Sequence, residues 1–223
     1  MLAMYRKRAD FALDQLRAYS VRLEDMLAAD VARIATHEIL SSLTSGSGAV
    51  LNDDDSAADE FAAVKETFPN ILRGSLLPYL HSTFERYARS MASLFLPSPL
   101  SHRSNACRTA ETINAHWAGT FTQAALDQLE RYRRLRNACA HTGAEVGGFL
   151  DDPHLVKEAA EHTLGVRFNP IVPSGNEYSG RSLQLRSAGV IEFDHDFTKI
   201  AADFYDEQIK RVAERVCMPR DPR

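Results

Sequence analysis

Apolar residues return at helical spacing along most of the chain. From about Asp10 to Ser42, Phe11, Leu13, Leu16, Leu23, Leu27, Val31, Ile34 and Leu40 recur near a period of 3.6 residues, which predicts one long helix. A second, about Asn70 to Phe95, has Leu77, Leu80, Phe84, Tyr87, Met91 and Leu94 at spacings of three and four, the stripe of a helix packed on neighbours. Pro78 lacks a backbone N–H and is expected to kink it near its start. A third, about Thr120 to His141, aligns Phe121, Ala125, Leu129, Tyr132, Leu135 and Cys139, with Gly143 placed as a stop. A shorter helix should open on Asp152-Pro153 and run to His162. The last, about Asp196 to Val216, carries Phe197, Ile200, Phe204, Tyr205, Ile209, Val212 and Val216.

Between these segments the pattern changes. Thr44 to Asp55 joins Ser-Gly-Ser-Gly to Asp53-Asp54-Asp55, the composition of a mobile loop, and a short helix is expected over about Ser56 to Thr67, ahead of Pro69. Leu96 to Ala118 holds Pro97, Pro99, several serines and Trp117, and reads as loop with room for one short helix. Between Gly165 and Phe193 the period drops to two: Val166 and Phe168, Leu183 and Leu185, then Val190, Ile191 and Phe193. That pattern predicts a small β-hairpin. The fold class expected is an all-α bundle, one domain over 1–223, with a β-hairpin insertion at 165–193 before the last helix.

Composition narrows the classes. Lys plus Arg number 26 against 30 Asp plus Glu, a formal charge of -4, with 44% apolar and 25% charged residues, so the chain is globular rather than disordered. No apolar stretch approaches the roughly 20 residues of a membrane span, and Met1 to Asp10 has no continuous apolar leader; no membrane partner and a cytoplasmic location are expected. Cys107, Cys139 and Cys217 lie far apart without CxxC spacing and read as reduced thiols. GxGxxG, GxxxxGK and GxSxG motifs are absent, which removes sequence support for the corresponding nucleotide-binding and hydrolase classes. The histidines at 37, 81, 102, 116, 154, 162 and 195 show no HExxH or paired-ligand spacing, so neither metal nor other cofactor is expected.

One local cluster carries chemistry. Arg131, Arg133, Arg134 and Arg136 place four cations within six residues, and Asn137 and His141 follow before Gly143. An arginine can hold a phosphate through paired charge-assisted hydrogen bonds and stabilise charge that grows on it. Imidazole, with an ordinary pKa of about 6.5, suits removal of a ribose 2′-hydroxyl proton or protonation of the leaving 5′-oxygen. Residues five apart on a helix point about 140° from each other, so Arg136 and His141 converge only if the last turn unwinds or two chains share one cleft. A two-fold axis beside this helix end would bring two copies of each residue into one groove. Arg131, Arg133 and Arg134 are candidates for tracking an RNA backbone. Glu85, between His81 and Arg89 at spacings of four, could fix Arg136 or simply pair with Arg89.

The run Arg136-Asn137-x-x-x-His141 at the end of a long helix resembles the Arg-x4-6-His signature of the HEPN domain superfamily. The order of elements is similar as well, with a long helix before the motif helix and another at the end. The resemblance implies a helical bundle and a metal-independent endoribonuclease, commonly a homodimer with a composite site and often a toxin or antiviral-defence effector. It assigns the phosphate contact to Arg136, acid–base work to His141 and their orientation to Asn137. It also implies RNA and an antitoxin or defence-system protein as partners. Gly143 stands where HEPN toxins paired with nucleotidyltransferase antitoxins usually carry a tyrosine. Many HEPN domains have lost cleavage and act as binding scaffolds, which is the alternative function.

Overall fold

A computed structural model describes residues 1–44, 65, 67–96, 100, 105–142, 145–146, 152–170 and 189–217, with side chains at 37–44, 141–142 and 145–146 outside the description. Within these residues the chain forms α1 (Leu2–Thr44), α2 (Phe68–Ser93), α3 (Ala106–His116), α4 (Gln123–Thr142), β1 (Glu145–Val146), α5 (Pro153–Glu161), β2 (Val166–Pro170), β3 (Gly189–Phe193) and α6 (Phe197–Cys217). The protein is mostly helical, with a small antiparallel sheet before the last helix. Of the expected loop at Thr44 to Asp55 all but Thr44, which ends α1, and nearly all of the expected helix at 56–67 lie outside the described residues, as do Leu183 and Leu185.

Three features set against the sequence reading have physical causes. First, α1 begins at Leu2 rather than near Asp10, because Leu2 and Tyr5 pack on the core and Ala9 is buried in it. Its basic start is anchored as well, since Arg6 donates to the Asp206 carboxylate at 2.6 Å and Arg17 to Asp203 at 2.8 Å. Second, the one short helix for which Leu96 to Ala118 leaves room is α3, three turns long. Asn105 caps it by accepting from the Arg108 N–H at 2.9 Å, and Ala106, Thr109, Ala110 and Ile113 form its buried side. Small residues on that side kept the apolar stripe faint. Third, the hairpin gains a third strand. β3 lies between β1 and β2, antiparallel to both.

The sheet is stapled to α2 by a side chain. Beyond the two residues that pair with β1, the open edge of β3 is closed by Asn70, whose amide donates to the Ile191 carbonyl at 2.6 Å and accepts from the Phe193 N–H at 2.8 Å. One turn on, Arg73 donates to the Phe193 carbonyl at 2.9 Å and grips both oxygens of Glu24 on α1 at 2.6 Å. These bonds satisfy strand groups that burial would otherwise leave unpaired, a cost of about 1–3 kcal/mol each. They also set α1 antiparallel to α2, with Glu24 beside Arg73 and the first turns of α1 beside Tyr87.

The buried side chains form one continuous cluster drawn from α1 through α6 and the sheet. Its centre is aromatic: Tyr132 of α4 lies 5.4 Å from Tyr205 and 5.3 Å from Phe204, both of α6, and Phe84 of α2 lies 5.7 Å from Tyr205. Burying each such ring contributes on the order of 2 kcal/mol. The stripes predicted for α2, α4 and α6 are the packed ones except at Leu94, which lies past the end of α2 and is exposed, whereas Phe11 of α1 is 66% exposed and does not belong to the core. α2 runs through Pro78 to Ser93 as one helix. At the turn into β2, Gly165 takes φ +77°, a left-handed conformation that glycine adopts without the penalty of a Cβ.

Candidate functional site

The motif lies on the last two turns of α4. Tyr132 and Leu135 hold this end in the core, and Cys139 packs beside Gly74 of α2, where an added Cβ would stand 3.1 Å from the Cys139 sulfur. The helix continues through His141 to Thr142. Unwinding before His141 therefore does not bring it round to Arg136, and of the two routes to convergence only a cleft shared by two chains remains. The side chain of His141, like Gly143, lies outside the described residues.

The four arginines have different fates. Glu130, one turn earlier, accepts from both Nε and Nη2 of Arg133 at 2.7 Å and from Nε of Arg134 at 3.1 Å, and Glu158 of α5 lies 4.0 Å from Arg134. Arg131 donates to Gln128 at 3.1 Å and to the His162 carbonyl at 3.4 Å. Arg136 donates from Nη1 to the Asn137 side-chain oxygen at 2.9 Å, while its buried Nε has no hydrogen-bond partner among the described residues. Arg136 thus keeps donor capacity that a carboxylate has already taken up at Arg133 and Arg134. Asn137 acts on Arg136 directly through this bond. Glu85 is ion-paired to Arg89, four residues on in the same helix, rather than to Arg136.

Within the field of Arg136 is a buried polar pair that the motif does not include. His81 of α2 and Tyr205 of α6 face each other with Nδ1 and Oη 2.8 Å apart, and both are buried. Burial, followed by the charges of Arg136 and Arg133, pushes the His81 pKa down to about 4, so the ring is neutral at pH 7. Burial raises the Tyr205 phenol well above its ordinary value, against the opposing charge of Arg136. His81 Nε2 has no partner among the described residues.

Glu130 ties the arginines of α4 to Cys107 of α3. Its hydrogen bond from Arg133 is the largest influence and, against burial and with help from Arg134 and the Cys107 thiol, holds its carboxyl at about 2. Burial, reinforced by Glu130, lifts the Cys107 thiol to about 12, and burial does the same for Cys139, so neither is a thiolate nucleophile. Glu130 was legible in principle: it precedes Arg133 and Arg134 at i+3 and i+4, the spacing of helical ion pairs. Nothing local marks the partnership of His81 with Tyr205, which are 124 residues apart.

Among the described residues, no group of three His, Cys, Asp or Glu side chains is placed to hold a metal ion, and no helix is long and apolar enough to cross a membrane. In comparisons with protein-family models, with curated proteins and with solved structures, nothing matches this chain. A functional reading therefore rests on the residues and their placement.

Proposed function

We propose that the chain is a HEPN-type, metal-independent endoribonuclease acting in the cytoplasm as a toxin or antiviral-defence effector. The observation that carries this reading is the contrast within the arginine cluster: Arg133 and Arg134 share the single carboxylate of Glu130, whereas Arg136 is held by the neutral amide of Asn137 and has no carboxylate partner among the described residues. A guanidinium so placed is suited to a phosphodiester. In the proposed reaction the ribose 2′-oxygen attacks the adjacent phosphorus, the bond to the 5′-oxygen breaks, and a 2′,3′-cyclic phosphate and a 5′-hydroxyl result. Arg136 stabilises the phosphorane charge. Because Arg136 and His141 diverge on one helix, His141 of one chain serves beside Arg136 of a second as the proton carrier, taking the 2′-proton or delivering one to the 5′-oxygen. An antitoxin or other defence-system protein would be the regulatory partner.

A second reading, a catalytically silent HEPN scaffold that binds RNA, nucleotide or protein, draws on the capture of Arg133 and Arg134 by Glu130, which lowers the positive field available for holding an RNA backbone. The test is cleavage of a mixed labelled RNA pool in EDTA by the wild-type chain and by His141→Ala. Cyclic phosphate ends produced by wild type alone are expected. Equal cleavage by both proteins would overturn the mechanism, and RNA binding without cleavage by either would select the scaffold.

A further inference from the structure

The two sides of α1 are occupied very differently. The side that packs on α2 and α6 buries Ala9, Leu13 and Ser20, and its charges are matched: Arg6 with Asp206, Arg17 with Asp203, Glu24 with Arg73. The opposite side carries a regular run of exposed residues with no partner among the described residues. Met4, Arg8, Phe11, Gln15, Ala18, Arg22, Asp25 and Ala29 follow at alternating spacings of four and three, and all eight are exposed. They mark one face of the helix over a length of about 38 Å. It includes Phe11 at 66% and Met4 at 43% exposure, and among the described residues Arg8, Arg22 and Asp25 have no ion-pair partner.

We propose that this face is an interface with a second copy of the chain, in which two α1 helices pair antiparallel about a two-fold axis passing between residues 16 and 17. The face is complementary to itself when reversed. In the antiparallel register whose paired residue numbers sum to 33, Arg8 of each chain meets Asp25 of the other, Phe11 meets Arg22, Met4 meets Ala29 and Gln15 meets Ala18. The register therefore forms one ion pair, one cation–π contact and two contacts of a long side chain over an alanine, each made twice as a two-fold requires. A parallel pairing would instead stack Arg8 on Arg8 and Asp25 on Asp25. Met4, Arg8 and Phe11 also line a cleft of about 540 Å³ whose other wall includes Tyr87, and this gives the second helix a seat.

This surface is separate from the proposed ribonuclease groove. α1 packs on α2 and α6, whereas α4 packs on α2, α3 and α5, so pairing through α1 leaves the Arg136 end of α4 uncovered. A chain using both surfaces would assemble beyond a dimer.

The test is sedimentation equilibrium of the full chain at tens of micromolar, comparing wild type, Arg8→Glu, Asp25→Arg and the double variant that carries both. Each single substitution places like charges opposite each other twice and is expected to weaken association at least tenfold. The double variant restores opposite charges and should recover the wild-type mass. These side chains are exposed and outside the core, so helicity should not change. A mass insensitive to both single substitutions, or failure of the double variant to recover, would overturn the pairing. So would a monomeric wild-type chain, and binding of that monomer to anionic vesicles would assign the face to a lipid surface. RNA cleavage by the same variants separates this inference from the ribonuclease reading, since loss of α1 pairing leaves the composite groove intact.

Discussion

His81 Nδ1 and Tyr205 Oη meet 2.8 Å apart in the core, and this bond joins α2 to α6 where the charge of Arg136 is felt. Replacing Tyr205 by Phe keeps the ring packing on Phe84, Tyr132 and Phe204 but leaves a buried imidazole with neither nitrogen bonded. A buried polar group without a partner costs about 1–3 kcal/mol. Tyr205→Phe is expected to lower unfolding free energy by that amount in urea titration without changing helix content. No change would mean that the bond contributes little net energy.

The same residue predicts a pH dependence. Unfolded His81 titrates near 6.5 and folded His81 near 4, so between these values the unfolded chain binds more protons and stability rises with pH. The stabilisation is fully present above about pH 6.5 and is lost as pH falls toward 4, by about 3 kcal/mol at most. Glu130, depressed to about 2 by Arg133, extends the loss below pH 4.5. Urea titrations from pH 4 to 8 should show this slope, and His81→Leu should flatten it above pH 4.5. An unchanged slope would place the titrating group elsewhere.

The helices that could be read from sequence are those whose own residues decide their state. Leu77, Leu80 and Phe84 announce α2 because large apolar side chains repeat on one face, and the same holds for Leu129, Tyr132 and Leu135 on α4. α3 is carried by Ala106, Thr109 and Ala110, which are too small to produce that signal, and β1 exists only because β3 offers it an edge. Phe11 fits a helical period yet lies outside the core, since periodicity alone does not say which stripe faces inward. At the candidate site, the order of Arg136, Asn137 and His141 is local and was legible. The difference between Arg136 and its neighbours depends on which cation Glu130 reaches, and the His81–Tyr205 pair depends on the packing of two distant helices.

Glu130 restrains the cluster, so removing its charge should release it. Glu130→Gln abolishes the ion pairs to Arg133 and Arg134 and frees both guanidinium groups for phosphate. RNA affinity is then expected to rise and to become more salt-dependent, with the log–log slope steeper by about 1.4 if both cations engage a single strand. The pKa of Cys107 should fall, because the Glu130 charge and hydrogen bond both help to raise it. Binding titrations at several salt concentrations and thiol alkylation against pH read the two effects. An unchanged salt slope would show that Arg133 and Arg134 do not face RNA.

Gly74 sets how closely α2 and β3 approach the motif helix. A Cβ built there would stand 2.9 Å from a ring carbon of Phe193 and 3.1 Å from the Cys139 sulfur, three residues beyond Arg136. In an exposed helix, alanine in place of glycine stabilises by about 0.5–1 kcal/mol. Here the added methyl must displace a buried ring and a sulfur, and overpacking of this kind costs about 1–3 kcal/mol. The steric cost should prevail, so Gly74→Ala is expected to destabilise by about 1 kcal/mol in urea titration. Phe193→Leu removes the ring that collides, and Gly74→Ala in that background should be nearly neutral or stabilising, a coupling that a double-mutant cycle reads directly. If Gly74→Ala stabilises the wild-type chain, α2, β3 and α4 are not in tight contact at this point, and Cys139 does not fix the end of α4 that carries Arg136.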